Sequence, residues 1–235
     1  MDRACAVLAV FAVSEDALTL AELARRTGFY KSTLLRLLAS LARAGIARQL
    51  EDGRYGPGAQ AMQLARAYQR SFRLDDVLLP ILRHLCEASG ETASLFVRDG
   101  DARLCLRRIE PDRSIRIALH EGDRLPLSRG SAGRVLTAFA DDQDPAAALA
   151  EVRRRGWAYT QGERDPDAAS VAAVVFGQGQ QVVGALALSG PRQRFDAVRI
   201  RSFASLALHA AARLSAALGG QYPAHWLEQE VDADA

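Results

Sequence analysis

Between Thr19 and Tyr55 the chain alternates turn signals and amphipathic runs in an order that restricts the fold severely. Thr19 and Glu22 have capping-box spacing, which satisfies free N–H groups where a helix begins. Ala24 is small enough for a second helix to cross close by. Gly28 falls where the chain must reverse and supplies a positive φ at no steric cost. Leu34, Leu37, Leu38 and Leu41 then recur at steps of three and four, which makes one apolar helix face. Gly45 ends that helix, and Asp52 with Gly53 forms a tight-turn signal between two short strand-like segments, 46–49 and 54–56. Helix, turn, helix and hairpin in this order predict a winged helix-turn-helix.

Charge follows the same boundary. From Arg25 to Arg48 there are six basic residues and no acid, and Lys31 is the only lysine of the 235 residues. Residues 1–75 carry 11 basic against 7 acidic groups, and the remainder 19 against 21. The positive excess is therefore local, as the electrostatic footprint of a nucleic-acid site is. The predicted second helix offers Lys31, Ser32, Thr33 and Arg36 to phosphates and base edges, with Arg25 and Arg26 beside it and Arg48 and Arg54 on the wing. A solvated charged face, or a winged helix that docks a protein partner, is the alternative reading of the same residues.

Composition sets the remaining bounds. With 49% hydrophobic and 25% charged residues the chain reads as an ordinary globular protein, and its net charge of +2 is too small for one that coats polyanions. Cys5, Cys86 and Cys105 lie far apart with no C-x-x-C, so neither zinc nor a disulfide framework is indicated and each is expected to be a small buried apolar residue; no metal and no cofactor are expected. The apolar stretch 4–13 is too short for a signal peptide, and no run approaches the roughly 18 apolar residues of a membrane span. A cytoplasmic protein without a membrane partner is expected. The four histidines are scattered and no nucleophile elbow or phosphate loop appears, so an enzyme in the second half is a weak alternative.

The domain plan reads as 1–58 winged helix-turn-helix, 59–75 linker helix, 76–220 second domain and 221–235 a frayed tail. In the linker, Leu64, Tyr68 and Phe72 form a stripe that suits either core packing or a dimer contact. In the second domain a helix is expected from Pro80 to about Ala88. Strands are expected at 92–98, 103–109, 114–120, 171–176 and 181–189, with 121–126 a loop. Helices are expected at 131–140, 145–155 and from Asp196 to about Leu218. Antiparallel strands flanked by helices make the class α+β.

These segments resemble the IclR family of bacterial transcriptional regulators. The likeness rests on Leu18–Gly28 (LTLAELARRTG), Lys31–Leu38 (KSTLLRLL) and Asp52–Tyr55 (DGRY) in the first half. In the second it rests on Gly90–Thr92 (GET), Gly122–Leu127 (GDRLPL), Ala132–Arg134 (AGR), Arg154–Ala158 (RRGWA) and Leu188–Pro191 (LSGP). The resemblance implies a GAF-like antiparallel sheet that binds a small effector, an organic or aromatic acid. It also implies homodimers or dimers of dimers on a pseudo-palindromic double-stranded DNA operator. Carried onto matching positions, the effector pocket would be walled by Leu125, Ser131, Ala132, Ser170 and Ser189, with Thr160, Ala168 and Ala187 near the same strands. The chain departs from the family pattern at Tyr30 (usually proline), Arg134 (lysine), Ser170 (often cysteine) and Val174 (often proline), and in a shortened segment between Ala140 and Arg153.

Overall fold

The computed structural model describes residues 1–14, 16–71, 74–113, 119–140 and 147–228, and the chain divides into two compact units, Met1–Leu74 and Asp75–Ala235.

In the first unit, helices α1 (Asp2–Ala12), α2 (Leu20–Thr27) and α3 (Lys31–Arg43) precede a hairpin of β1 (Ala47–Gln49) and β2 (Tyr55–Pro57) and a helix α4 (Ala59–Ser71). The capping box forms: the Thr19 hydroxyl accepts the Glu22 N–H at 3.2 Å and the Glu22 carboxylate accepts the Thr19 N–H at 2.8 Å. Gly28 adopts φ +72°, turning α2 into α3. α3 ends in a Schellman arrangement, with Ile46 N–H donating to Leu41 O and Gly45 N–H to Ala42 O, both at 2.9 Å. Val7, Phe11, Leu18, Leu23, Leu34, Leu38, Leu41 and Ala47 form the core, with Ala24 and Leu37 packed against it. Leu18 exchanges backbone bonds of 2.8 Å with Tyr55, so the wing is anchored to the segment between α1 and α2. Gly58 is required at the wing's exit, because a Cβ there would lie 2.2 Å from Gly45 O. On α4, Leu64 is exposed, while the Tyr68 side chain and Phe72 lie outside the described residues.

The second unit begins with α5 (Asp75–Ser89), followed by β3 (Thr92–Asp99), β4 (Ala102–Ile109), β5 (Arg124–Pro126), α6 (Ser131–Ala138) and α7 (Ala147–Arg155). It continues with β6 (Trp157–Gln161), β7 (Ala168–Phe176), β8 (Val182–Pro191), α8 (Ala197–Ala217) and α9 (His225–Glu228). The strands form an antiparallel sheet in the order β5-β4-β3-β8-β7-β6. α6 and α8 both pack on β7, whose residues from Val171 to Phe176 are all buried, as a strand covered on both faces must be. α5 packs beside α8, and the Asp196 carboxylate caps α8 by accepting the Arg199 N–H at 2.8 Å.

Several expectations need correction. α5 starts five residues before Pro80: Asp75 and Asp76 fill the first turn, where the positive helix end favours carboxylates, and Leu78 is already core. Of the strand expected at 114–120, residues 114–118 lie outside the described residues and Leu119 and His120 belong to no strand. The supposed loop 121–126 instead contributes β5, paired to β4 through Arg103 and Leu125. β6, for which the sequence reading had no strand, forms the far edge of the sheet. Cys86 and Cys105 are buried as expected, whereas Cys5 is exposed. The tail is docked through residue 228: Trp226 is 5% exposed and donates its indole N–H to Arg154 O at 2.8 Å.

Candidate functional site

In the first unit the buried side of α3 holds Leu34 and Leu38, and the opposite side leaves Lys31, Ser32 and Arg36 exposed with Thr33 half-buried. The α3 N-terminus has no side-chain cap and no acid in its first turn, and Tyr30 at the cap position is 85% exposed. An uncovered helix N-terminus attracts phosphate through its free N–H groups and its dipole. Arg25 is exposed. Arg26 is tied down, donating Nη1–H to Ser14 Oγ at 2.7 Å. On the wing, Arg48 is exposed and has no carboxylate partner among the described residues. Arg54 Nε lies 2.6 Å from Asp52 Oδ2, so its charge is partly compensated within the turn.

In the second unit Leu125, Ser131, Ala132, Ser170 and Ser189, together with Thr160, Ala168 and Ala187, border one cavity. Four strands (β5, β6, β7 and β8) and the start of α6 bring them together. Thr160 pairs with Ser170 across β6 and β7, and Ser170 with Ser189 across β7 and β8, so three hydroxyls stand in one row on one face of the sheet. Ser131, the first residue of α6 and 1% exposed, donates its hydroxyl to Ser170 Oγ at 2.8 Å, and Thr160 Oγ1 lies 3.2 Å from the same oxygen. Among the described residues no acceptor meets the N–H groups of Ser131, Ala132 or Gly133. The cavity offers water-sized spheres about 50 Å³ of room.

The sequence reading missed the charged part of this wall. Phe96, Arg103, Leu119, Gly130, Glu163 and Arg164 also border the cavity. Arg103, on β4, is 4% exposed; its Nη1 donates to Pro126 O at 2.5 Å and to Arg129 O, and its guanidinium lies over the Phe96 ring at 5.4 Å. Burial, and then the charge of Arg164, push its pKa down to about 10, which still leaves it protonated at neutral pH. Glu163 is held within this wall rather than by Arg103: one oxygen accepts the N–H of Gly130, the residue that caps α6, at 2.7 Å and the other pairs with Arg134. Gly133 allows the approach of these parts, because a Cβ there would lie 2.3 Å from Leu127 O and 2.7 Å from Arg103 Nη1. The sequence signals that could have found this wall are Gly130 and Gly133 flanking the helix start, and an arginine at an inner strand position. Among the described residues no group of His, Cys, Asp and Glu could hold a metal ion, and no helix is long and apolar enough to cross a membrane.

Comparison with known proteins agrees with this architecture. The IclR helix-turn-helix domain matches residues 1–51, and the domain described as "Bacterial transcriptional regulator IclR C-terminal" matches residues 66–151 and 144–216. The chain is 32% identical over 241 residues to the HTH-type transcriptional regulator BhcR of Paracoccus denitrificans, covering 92% of this chain and 85% of that protein. It is 26% identical to the Transcriptional repressor IclR of Escherichia coli, covering 94% and 90% of the two chains. Among solved structures, an IclR homolog from Microbacterium hydrocarbonoxydans complexed with 4-hydroxybenzoate superposes with a TM-score of 0.80 at 23% identity, covering 92% of this chain and 97% of that one. The Thermotoga maritima IclR superposes with a TM-score of 0.74 at 19% identity, covering 93% and 98%.

Proposed function

Since the chain belongs to the IclR family of bacterial transcriptional regulators, we propose that α3 enters the major groove of an operator while the cavity at the start of α6 takes a small organic acid that changes operator affinity. Lys31, Ser32, Thr33 and Arg36 meet bases and phosphates, and Arg25, Arg26, Arg48 and Arg54 meet the flanking backbone. The observation that carries the effector half is the convergence of Leu125, Ser131, Ala132, Ser170 and Ser189 on one cavity at an open helix N-terminus. Free N–H groups, the helix dipole and a row of hydroxyls favour a carboxylate.

The Microbacterium homolog was crystallised with an aromatic acid. In this chain the room is about 50 Å³, against about 150 Å³ for a core cavity that holds benzene. An aromatic acid therefore requires the walls to open further than a short aliphatic one does. The acid acts only through different affinities for the DNA-competent and DNA-incompetent arrangements. Coupling of about 1–3 kcal/mol would change operator affinity roughly 5- to 150-fold. The regulator works in the cytoplasm as a homodimer or a dimer of dimers, with α4 as the link between DNA-binding and effector units. It needs no cofactor and performs no catalysis.

Gel-shift titration on the intergenic DNA beside the protein's own gene, at two salt concentrations, tests the reading. A specific shift that weakens steeply with salt is expected, since each phosphate contact releases counterions. Aliphatic and aromatic acids are then added to that complex. Salt-insensitive association, or no specific shift on any genomic fragment, would overturn it in favour of a protein-docking winged helix.

A further inference from the structure

Among the described residues, the guanidinium of Arg103 is a buried charge that the fold leaves without an ion pair. Among the described residues its buried Nε–H meets no acceptor, and no carboxylate lies within ion-pair distance of it. Its bonds through Nη1 go to the neutral carbonyls of Pro126 and Arg129. The acid closest to hand, Glu163, is already paired with Arg134 and bonded to the Gly130 N–H. A buried cation is costly unless it is paired and hydrogen-bonded, and removing its water without supplying an anion leaves that cost standing.

Two further features place this charge where a ligand would use it. Arg103 forms part of the cavity wall. Its guanidinium also lies against the start of α6, where Cβ atoms at Gly130 and Gly133 would come within 2.9 Å and 2.7 Å of its terminal nitrogens. Arg103, Ser131 and Ala132 thus line one small space, and the guanidinium and the N–H groups that open α6 both call for negative charge.

We propose that Arg103 is the anion-recognising residue of the cavity: a carboxylate effector places one oxygen on the Arg103 Nε–H and the other on the N–H groups that open α6. This deepens the effector reading above and rests on it. The anchor makes charge, rather than shape alone, the first criterion of selection. An amide of the same outline can accept one bond through its carbonyl, but it leaves the cation without an anion and sets its NH2 against the N–H donors of α6, which stay unsatisfied.

The test uses the full chain and isothermal titration with four acids: propionate, 2-methylpropanoate, benzoate and 4-hydroxybenzoate, each beside its amide. On the unaltered protein the best acid is expected to bind at least about 10- to 100-fold more tightly than its amide, the range for a charge-assisted bond. Arg103→Met keeps the side-chain length and removes the charge. It is expected to weaken the acid by a similar factor and leave the amide unchanged, and Arg103→Lys is expected to recover part of the loss. An acid bound equally by the unaltered protein and Arg103→Met would overturn the anchor while keeping the acid effector. Acid and amide binding equally well to the unaltered protein, or no acid binding at all, would overturn both, and this comparison stands even if Arg103→Met fails to fold.

Discussion

The Ser131 hydroxyl, on the first residue of α6, donates to the Ser170 hydroxyl on β7 across 2.8 Å, and so ties the helix start to the middle of the hydroxyl row. Ser170 Oγ also lies 3.2 Å from Thr160 Oγ1, which makes it the hub of the polar floor. A carboxylate arriving at α6 meets this hub as a prearranged donor set. Ser170→Ala is therefore expected to weaken effector binding about 2- to 13-fold, the net worth of one hydrogen bond. Effector-free operator affinity should stay unchanged. Titration calorimetry with the acid that answers the gel-shift screen measures the first, and the gel shift the second. Undiminished effector affinity would show that the ligand sits away from the hydroxyl row.

Arg36 and Arg48 are both exposed, on α3 and on the wing, and their roles separate by what they lose on truncation. Arg36→Ala should cost about 1–3 kcal/mol of specific affinity and relax preference at one base position. Arg48→Ala should weaken all sequences alike and reduce the salt slope by about one. Equal losses on specific and random DNA for Arg36→Ala would move Arg36 to the phosphate class.

The reciprocal Thr19 and Glu22 bonds hold the start of α2, and the Glu22 carboxyl is kept below the usual range chiefly by the bond from the Thr19 backbone N–H. Thr19→Ala removes one acceptor for the free N–H groups and should cost about 1 kcal/mol of the first unit's stability. Denaturant unfolding of the full chain, followed through the transition that involves Met1–Leu74, reads this directly. A midpoint equal to the parent's would mean that water replaces the cap without loss.

The first unit was legible in sequence because its signals are local. A cap, a left-handed glycine, a leucine stripe and an Asp52–Gly53 turn each act within a few residues. In the second unit the fold class and the long strands were legible, yet β5 and β6 were not. β5 is three residues long, and β6 follows Arg153–Arg155 with no alternation to announce it. Pro80 misled because proline usually opens helices, whereas two aspartates open this one. The apolar and hydroxyl part of the cavity came from the family resemblance. Arg103 escaped because, next to the Asp99–Gly100 turn, it reads as a solvated arginine, and only the fold of 124–134 over it buries it. Arg54 was visible as a charge, but its pairing with Asp52 is a matter of side-chain geometry.

Trp226 carries the last prediction, because it sits in a polar C-terminal segment with no local sign of its docking place. Its ring stacks on Phe176 at 6.2 Å and meets Phe139 edge-on at 5.7 Å, and its N–H reaches Arg154 O. The receiving surface includes Gly156, at φ +79°, where a Cβ would lie 2.4 Å from the indole. Trp226→Ala should therefore leave a cavity and an unsatisfied carbonyl, costing about 3–5 kcal/mol. Gly156→Ala should destabilise as well, through both the clash and the backbone strain. Thermal unfolding of the second unit would fall by roughly 6 °C or more for Trp226→Ala, taking a few degrees per kcal/mol for a unit of this size. A shift below about 2 °C would mean that the segment after Leu218 contributes little to the folded unit.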